Sequence, residues 1–192
     1  MQKRQLAYQR VGIIHGYAGS GARHWQTWLA RNCRLLGAET HYPKLPGRFA
    51  QPTLPAWLEA IERTMPVMDE STALIGHSLG CPTILQLLRE EQIKQVGLIV
   101  LVAPSTLSRV AASELSFLGS FYKNLNGRTV CKAQKAAVFT SDNDRWVDPY
   151  AALALALELH ADFHLIKDGG HLNVASGHHT FPEVLDLIVP WQ

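Results

Sequence analysis

The run Val96 to Ala103 (VGLIVLVA) contains no polar side chain. A strand with one solvated face alternates polar and apolar residues, so an unbroken apolar run must be covered on both faces, as in a parallel sheet between layers of helices. Val11 to His15 (VGIIH), Thr72 to Gly76 (TALIG) and Ala136 to Thr140 (AAVFT) read in the same way. Ala38 to Tyr42 and Asp162 to Ile166 (DFHLI) are weaker strand candidates. Longer amphipathic stretches separate these runs: Ala22 to Leu36, with Trp25, Trp28, Leu29 and Leu35 towards one side, then Ala56 to Met68, Leu79 to Glu91, Pro149 to Leu159 and Phe181 to Ile188. Pro43 to Pro55 is read as irregular, because proline lacks an amide donor and restricts its predecessor. Strand–helix alternation of this kind predicts an α/β fold, a six-stranded parallel sheet with helices on both faces. Right-handed crossovers then gather reactive groups at the carboxyl ends of the strands.

A chain of 192 residues suits one domain spanning 1–192, and 47% hydrophobic with 18% charged residues fits an ordinary globular protein. The net charge is only +2, and Lys3, Arg4, Lys44, Arg48, Lys94, Lys132 and Lys135 are scattered along the chain. A nucleic-acid surface needs a stripe of cations to displace counterions, so nucleic acid is not an expected partner. No apolar stretch approaches bilayer length, and MQKRQLAYQR opens the chain without the apolar core of a signal peptide. Cys33, Cys81 and Cys131 form no CxxC pair, which suits reduced thiols and a cytoplasmic location. Oligomeric state leaves no trace in the sequence.

Each motif that could carry chemistry follows a strand. Gly76-His77-Ser78-Leu79-Gly80 is a G-x-S-x-G between the third strand and the following helix. A nucleophilic serine on such a turn needs small flanking residues, because side chains there would strike the adjoining strand and helix. Its position before a helix puts the Leu79 amide and the helix dipole beside a developing oxyanion. The competing role for Ser78 is a helix cap. His77 should point away from the turn as a packing or hydrogen-bonding residue. His15-Gly16-Tyr17-Ala18-Gly19-Ser20 follows the first strand, where the Tyr17 amide is the candidate second oxyanion donor. A phosphate cradle is disfavoured there, since Gly16, Gly19 and Gly21 do not make G-x-G-x-x-G.

After the fifth strand comes Ser141-Asp-Asn-Asp144-Arg-Trp-Val147-Asp148-Pro149, and after the sixth Lys167-Asp-Gly-Gly-His171-Leu-Asn173. Serine, aspartate and histidine in this order suit a nucleophile, an orienting acid and a base. Among the carboxylates, Asp144 is favoured as the acid, because D-x-x-V lets Val147 dock the loop while the aspartate faces inward. Asp142 is read as ending the strand and Asp148 as capping the helix from Pro149. A calcium loop starting at Asp142 would need glycine where Val147 stands and glutamate where Leu153 stands, so it fails. His160, His164, His171, His178 and His179 lack the spacings of a zinc site, and no metal or other cofactor is expected.

These segments, I-I-H-G-Y from Ile13, S-G-A-R-H-W-Q-T-W from Ser20, G-H-S-L-G from Gly76, S-D-N-D-R-W-V from Ser141 and G-G-H-L-N from Gly169, resemble the small serine hydrolase family of the α/β-hydrolase superfamily, the group of retinoblastoma-binding protein nine and YdeN-type esterases. The resemblance covers nearly the whole chain. It implies a minimal α/β-hydrolase without a large cap domain, strand order 2-1-3-4-5-6, and a triad of Ser78, Asp144 and His171. The expected reaction is hydrolysis of small carboxylic esters through an acyl-enzyme. A peptidase or acyltransferase with the same triad, and a protein-binding module on a hydrolase scaffold, are the alternatives. Ser105 to Arg128 either roofs an apolar acyl pocket with Leu115, Phe117, Leu118, Phe121 and Tyr122, or packs a connection against the core.

Overall fold

The computed structural model describes residues 5–47, 51–89, 95–123, 125 and 132–190. Six parallel strands, β1 (Arg10–Ile14), β2 (Glu39–His41), β3 (Thr72–His77), β4 (Val96–Val102), β5 (Ala133–Ser141) and β6 (Asp162–Ile166), form one sheet in the order β2-β1-β3-β4-β5-β6. Every residue of β3 and β4 is buried, as their unbroken apolar runs require. The edge strands β2 and β6 are only partly covered.

Among the described residues six α-helices accompany the strands: α1 (Trp25–Leu35), α2 (Leu54–Thr64), α3 (Gly80–Leu87), α4 (Leu107–Ala111), α5 (Pro149–Glu158) and α6 (Pro182–Ile188). From β1 the chain steps outward to β2 and then returns past β1 to β3. With right-handed crossovers, that reversal puts α1 on one face and α2 on the other. α1 packs against α6, and α2 against α3. The reversal also opens a crevice at the carboxyl ends of β1 and β3, the place where sheets of this kind hold ligands. Register brings those ends level, with Ile14 beside Gly76 and His77 beside Val102.

Several boundaries differ from the sequence pattern, each for a local reason. The first helix was expected from Ala22 but begins at Trp25, because the extended residue His24 caps it, its ring nitrogen accepting from the Gln26 amide at 3.2 Å. Leu35, assigned to the apolar side of that helix, lies 74% exposed, whereas Trp25 and Leu29 are buried. The second helix starts earlier than Ala56, since Pro55 suits a first turn, and stops at Thr64 because Pro66 restricts Met65. β5 begins at Ala133 rather than Ala136; of its added residues Gln134 and Lys135 are polar and exposed, yet the segment pairs with β4 through Ala133 and Lys135. The third helix reaches only Leu87, and the expected end at Glu91 lies outside the described residues. Cys33 and Cys81 are buried free thiols, and Cys131 lies outside the described residues. No helix among the described residues is long and apolar enough to cross a membrane.

Candidate active site

The turn after β3 places Ser78 at φ 53°, the left-handed region that a non-glycine residue occupies only when its surroundings enforce it. The Ser78 amide donates to Val102 at the end of β4 (3.0 Å), and the Cys81 amide donates to the Ser78 carbonyl (3.0 Å). The flanking glycines are steric requirements. A Cβ on Gly76 would stand 2.9 Å from the Gly80 carbonyl, and one on Gly80 would collide with the Ile14 carbonyl of β1. Helix α3 takes Leu79 as its cap residue and has no side-chain cap, so capping does not account for the serine.

The loop after β1 passes directly over this turn. A Cβ on Gly16 would lie 3.0 Å from Ser78 Cβ and 3.2 Å from the His77 carbonyl. Left-handed Ala18 and Gly19 (φ 63° and 79°) turn the loop back, and the Gly19 amide closes it onto Gly16. The amides of Tyr17 and Leu79 donate to no backbone acceptor among the described residues. Gln26, buried on α1, holds the loop in place: its Nε2 donates to Ile14 (3.0 Å), and its Oε1 accepts from the Ser20 hydroxyl (2.7 Å). His15 donates from Nδ1 to the Gly16 carbonyl (2.8 Å) and accepts the Leu45 amide at Nε2 (3.4 Å). The Gln26 clamp could not be found from sequence, since a glutamine inside a helix has no distinctive spacing.

The loops after β5 and β6 are joined by three consecutive side chains. Asp142 accepts the Asp168 amide (2.8 Å), Asn143 accepts the Gly170 amide (2.7 Å), and Asp144 accepts His171 Nδ1–H (2.7 Å). Asn143 also accepts the Ser141 hydroxyl, and the second Asp144 oxygen takes the Trp146 amide at 2.8 Å. The Asp144 side chain is fully buried while the imidazole keeps 15% exposure. Buried Val147 anchors this loop, and Asp148 caps α5 through the Tyr150 amide (2.9 Å). Because Nδ1–H points at a carboxylate, His171 Nε2 is left with its lone pair. Asp142 thus does more than end β5.

Behind His171 lie further aromatic groups. His77 Nε2–H donates to the His171 carbonyl (2.9 Å), and its ring sits 5.0 Å from that of His171 and 5.1 Å from His24. Burial, followed by repulsion from a charged His171, holds His77 well below the ordinary histidine range and His24 down to about 4. Both rings are therefore neutral near pH 7.

Gly16, Tyr17, Ser78, Leu79 and His171 line one cavity of about 630 Å³, a size that suits small-molecule sites. The Ser78 hydroxyl makes no hydrogen bond to the His171 ring among the described contacts; the two groups meet as walls of this cavity. Such bonds commonly tighten only when substrate arrives. The connection after β4 contributes Val110, Leu115, Leu118 and Tyr122 to the wall. Phe117 packs edge-on against Tyr17 (5.7 Å), and Phe121 turns into the core against Trp57 (5.0 Å). The segment thus both lines the cavity and packs the core; 124 and 126–128 lie outside the described residues. At the apolar end, the Tyr122 and Ser105 hydroxyls are joined at 2.6 Å. Among the described residues no group of three or more His, Cys, Asp or Glu side chains could hold a metal ion.

The chain is similar to the YdeN protein of Bacillus subtilis (strain 168), which is named as a hydrolase, with 31% identity over 186 residues, 95% of this chain and 96% of that one. The crystal structure of the ydeN gene product from B. subtilis superposes with a TM-score of 0.81 at 29% identity, covering 93% of this chain and 96% of that one. Mouse α/β-hydrolase domain-containing protein 10 shares the fold at a TM-score of 0.69 and 17% identity, over 97% of this chain and 92% of that one. The family model described as serine hydrolase matches residues 11–189, from the second residue of β1 to just past the end of α6. A match of that extent, on a sheet ordered in this way, shows that the chain belongs to the serine hydrolase family with the α/β-hydrolase fold.

Proposed function

We propose that the protein hydrolyses small carboxylic esters through an acyl-enzyme, with Ser78 as nucleophile, His171 as general base and acid, and Asp144 as the orienting carboxylate. The observation that carries this reading is the 2.7 Å contact from His171 Nδ1 to a fully buried Asp144 oxygen, beside the same cavity as a left-handed Ser78. That contact selects the tautomer whose free Nε2 can take a proton from an alcohol.

In the proposed reaction His171 Nε2 removes the Ser78 proton as the serine oxygen bonds to the substrate carbonyl carbon. The carbonyl electron pair moves onto oxygen, where the Tyr17 and Leu79 amides donate to it; loss of one such donor costs on the order of a hundredfold in turnover. Collapse of the adduct breaks the bond to the alcohol, which leaves with the proton from His171. Water, deprotonated by the same nitrogen, then releases the acid and restores Ser78. Asp144 balances the imidazolium at each stage, and no metal or organic cofactor is required.

The apolar wall of Val110, Leu115, Leu118 and Tyr122 supports a short or medium acyl group. The test is a series of nitrophenyl esters from acetate to palmitate with the wild-type protein and Ser78→Ala. Highest kcat/KM for short and medium chains, abolished in the variant, is expected. Activity rising steadily to palmitate would overturn the chain-length assignment, and equal rates in Ser78→Ala would overturn the mechanism.

A further inference from the structure

Beside the cavity lies a second hollow of about 580 Å³, lined by Ala22, Arg23, Thr27, Trp28, Arg31 and His179. Ala22 and Arg23 line both, so the two hollows share a wall. Thr27, Trp28 and Arg31 lie on one face of α1, at the helical spacing that stacks side chains. His179 Nδ1–H donates to the Arg23 carbonyl at 3.0 Å, which ties the approach to α1 to the loop ahead of α6.

The charge in this hollow is one-sided. No aspartate or glutamate lines either hollow, and the first turn of α1 has no acidic residue. Neither Arg23 nor Arg31 has an ion-pair partner among the described residues. Two guanidinium groups in one concavity without a counter-charge raise the local concentration of anions, and each presents a fork that fits a carboxylate or phosphate.

The hollow also lies on a definite side of the reaction. Asn173, Val174 and Ala175, just after His171, line the cavity, and this part of the chain is tied to α1 and its approach where Trp25 donates to Leu172 and His179 to Arg23, whereas Val110, Leu115 and Leu118 belong to the connection after β4. Because His171 hands its proton to the departing oxygen, the alcohol half of an ester leaves towards the His171 loop.

We propose that this hollow is a subsite for an anionic group on the leaving alcohol, with Arg23 and Arg31 as its ligands. The substrate class is then an ester whose acyl half is apolar and whose alcohol half carries a carboxylate or phosphate. This inference rests on the esterase reading of the neighbouring cavity.

The test compares para-nitrophenyl butyrate with its ring-carboxylated analogue, and glycerol monobutyrate with glycerol phosphate monobutyrate, in the wild type, Arg23→Gln, Arg31→Gln and Arg31→Lys. The kcat/KM ratio of charged to uncharged ester should fall about fivefold in each glutamine variant, mainly through KM. Arg31→Lys should restore part of the ratio, and added sodium chloride should compress it in the wild type. The pair showing the effect identifies the anion. A ratio unchanged in both glutamine variants, for both pairs, would overturn the subsite. If the wild type hydrolyses none of these esters, it is the esterase reading that fails, and calorimetry with the free carboxylated nitrophenol and with glycerol phosphate decides the subsite separately. Binding weakened in Arg31→Gln supports it, and equal or absent binding overturns it.

Discussion

The indole nitrogen of Trp25 donates a 2.8 Å hydrogen bond to the carbonyl of Leu172, the residue that follows His171. Leu172 is buried and left-handed (φ 47°), so its backbone is held rather than relaxed. Trp25 begins α1, on the opposite side of the chain's sequence from the loop that it fixes. The helix whose Gln26 holds the loop after β1 therefore also holds the loop that carries His171.

Replacing Trp25 with phenylalanine keeps most of the buried area but leaves the Leu172 carbonyl without its donor. An unpaired buried acceptor costs about 1–3 kcal/mol. Urea unfolding should show that loss, and kcat for a short nitrophenyl ester should fall while the apolar contribution to KM changes little. Unchanged stability and rate would show that the indole contact does not hold the loop.

The clasp between the β5 and β6 loops separates orientation from chemistry. Asn143 touches Ser141 and the Gly170 amide but not the cavity lining. Asn143→Ala should lower kcat on the order of tenfold to a hundredfold by letting His171 drift. Asp144→Asn loses the tautomer selection itself, and a fall of about ten-thousand-fold is expected. Steady-state kinetics of the two variants should therefore differ by at least an order of magnitude; equal effects would contradict the division of roles.

At the apolar end of the cavity, the Tyr122–Ser105 pair separates it from a neighbouring hollow lined by Leu85, Pro104 and Leu155. Burial raises the Tyr122 hydroxyl's pKa, so it acts as a neutral group. Tyr122→Ala opens this partition. The kcat/KM profile against acyl length should shift towards longer chains, with acetate affected least in rate per bound substrate. A variant that keeps the wild-type profile would place the acyl group elsewhere.

His24 contributes to the loss of stability in acid. Its folded pKa, about 4, lies below the ordinary value of 6.5, so between these values the unfolded chain binds more protons than the folded one. The stability it contributes is intact above about pH 6.5 and is lost as the pH falls towards 4; a shift of this size corresponds to about 3 kcal/mol at most. His77, also neutral by burial, acts with the same sign. His24→Asn keeps a side chain able to cap α1 and removes the titration. Urea midpoints measured from pH 7.5 down to 4.5 should fall less steeply in the variant than in the wild type. Parallel curves would assign the acid sensitivity to other groups.

Much of this architecture is legible in the sequence because the constraints are local. The apolar runs around Ile75 and Val100 require cover on both faces, and Gly76 and Gly80 are needed by contacts a few residues away or with the adjacent strand. The pattern hides features set by distant contacts. Gln26 is an ordinary helical residue until β1 and Ser20 come against it. Gln134 and Lys135 fall outside the apolar run that begins at Ala136, and they join β5 because the pairing that makes them a strand comes from β4. Leu35 fits the apolar stripe of α1, yet it lies exposed to solvent. Arg23 and Arg31 look like scattered surface cations until His179 closes the hollow between them.

The central claim is that Ser78 is an activated alcohol, and the most direct measurement is intact-mass analysis after treatment with a fluorophosphonate, followed by peptide mapping. One adduct per chain, located on Ser78, absent in Ser78→Ala and formed much more slowly in Asp144→Asn, is the predicted result. A wild-type protein that stays unlabelled, or carries the adduct on another residue, would contradict it.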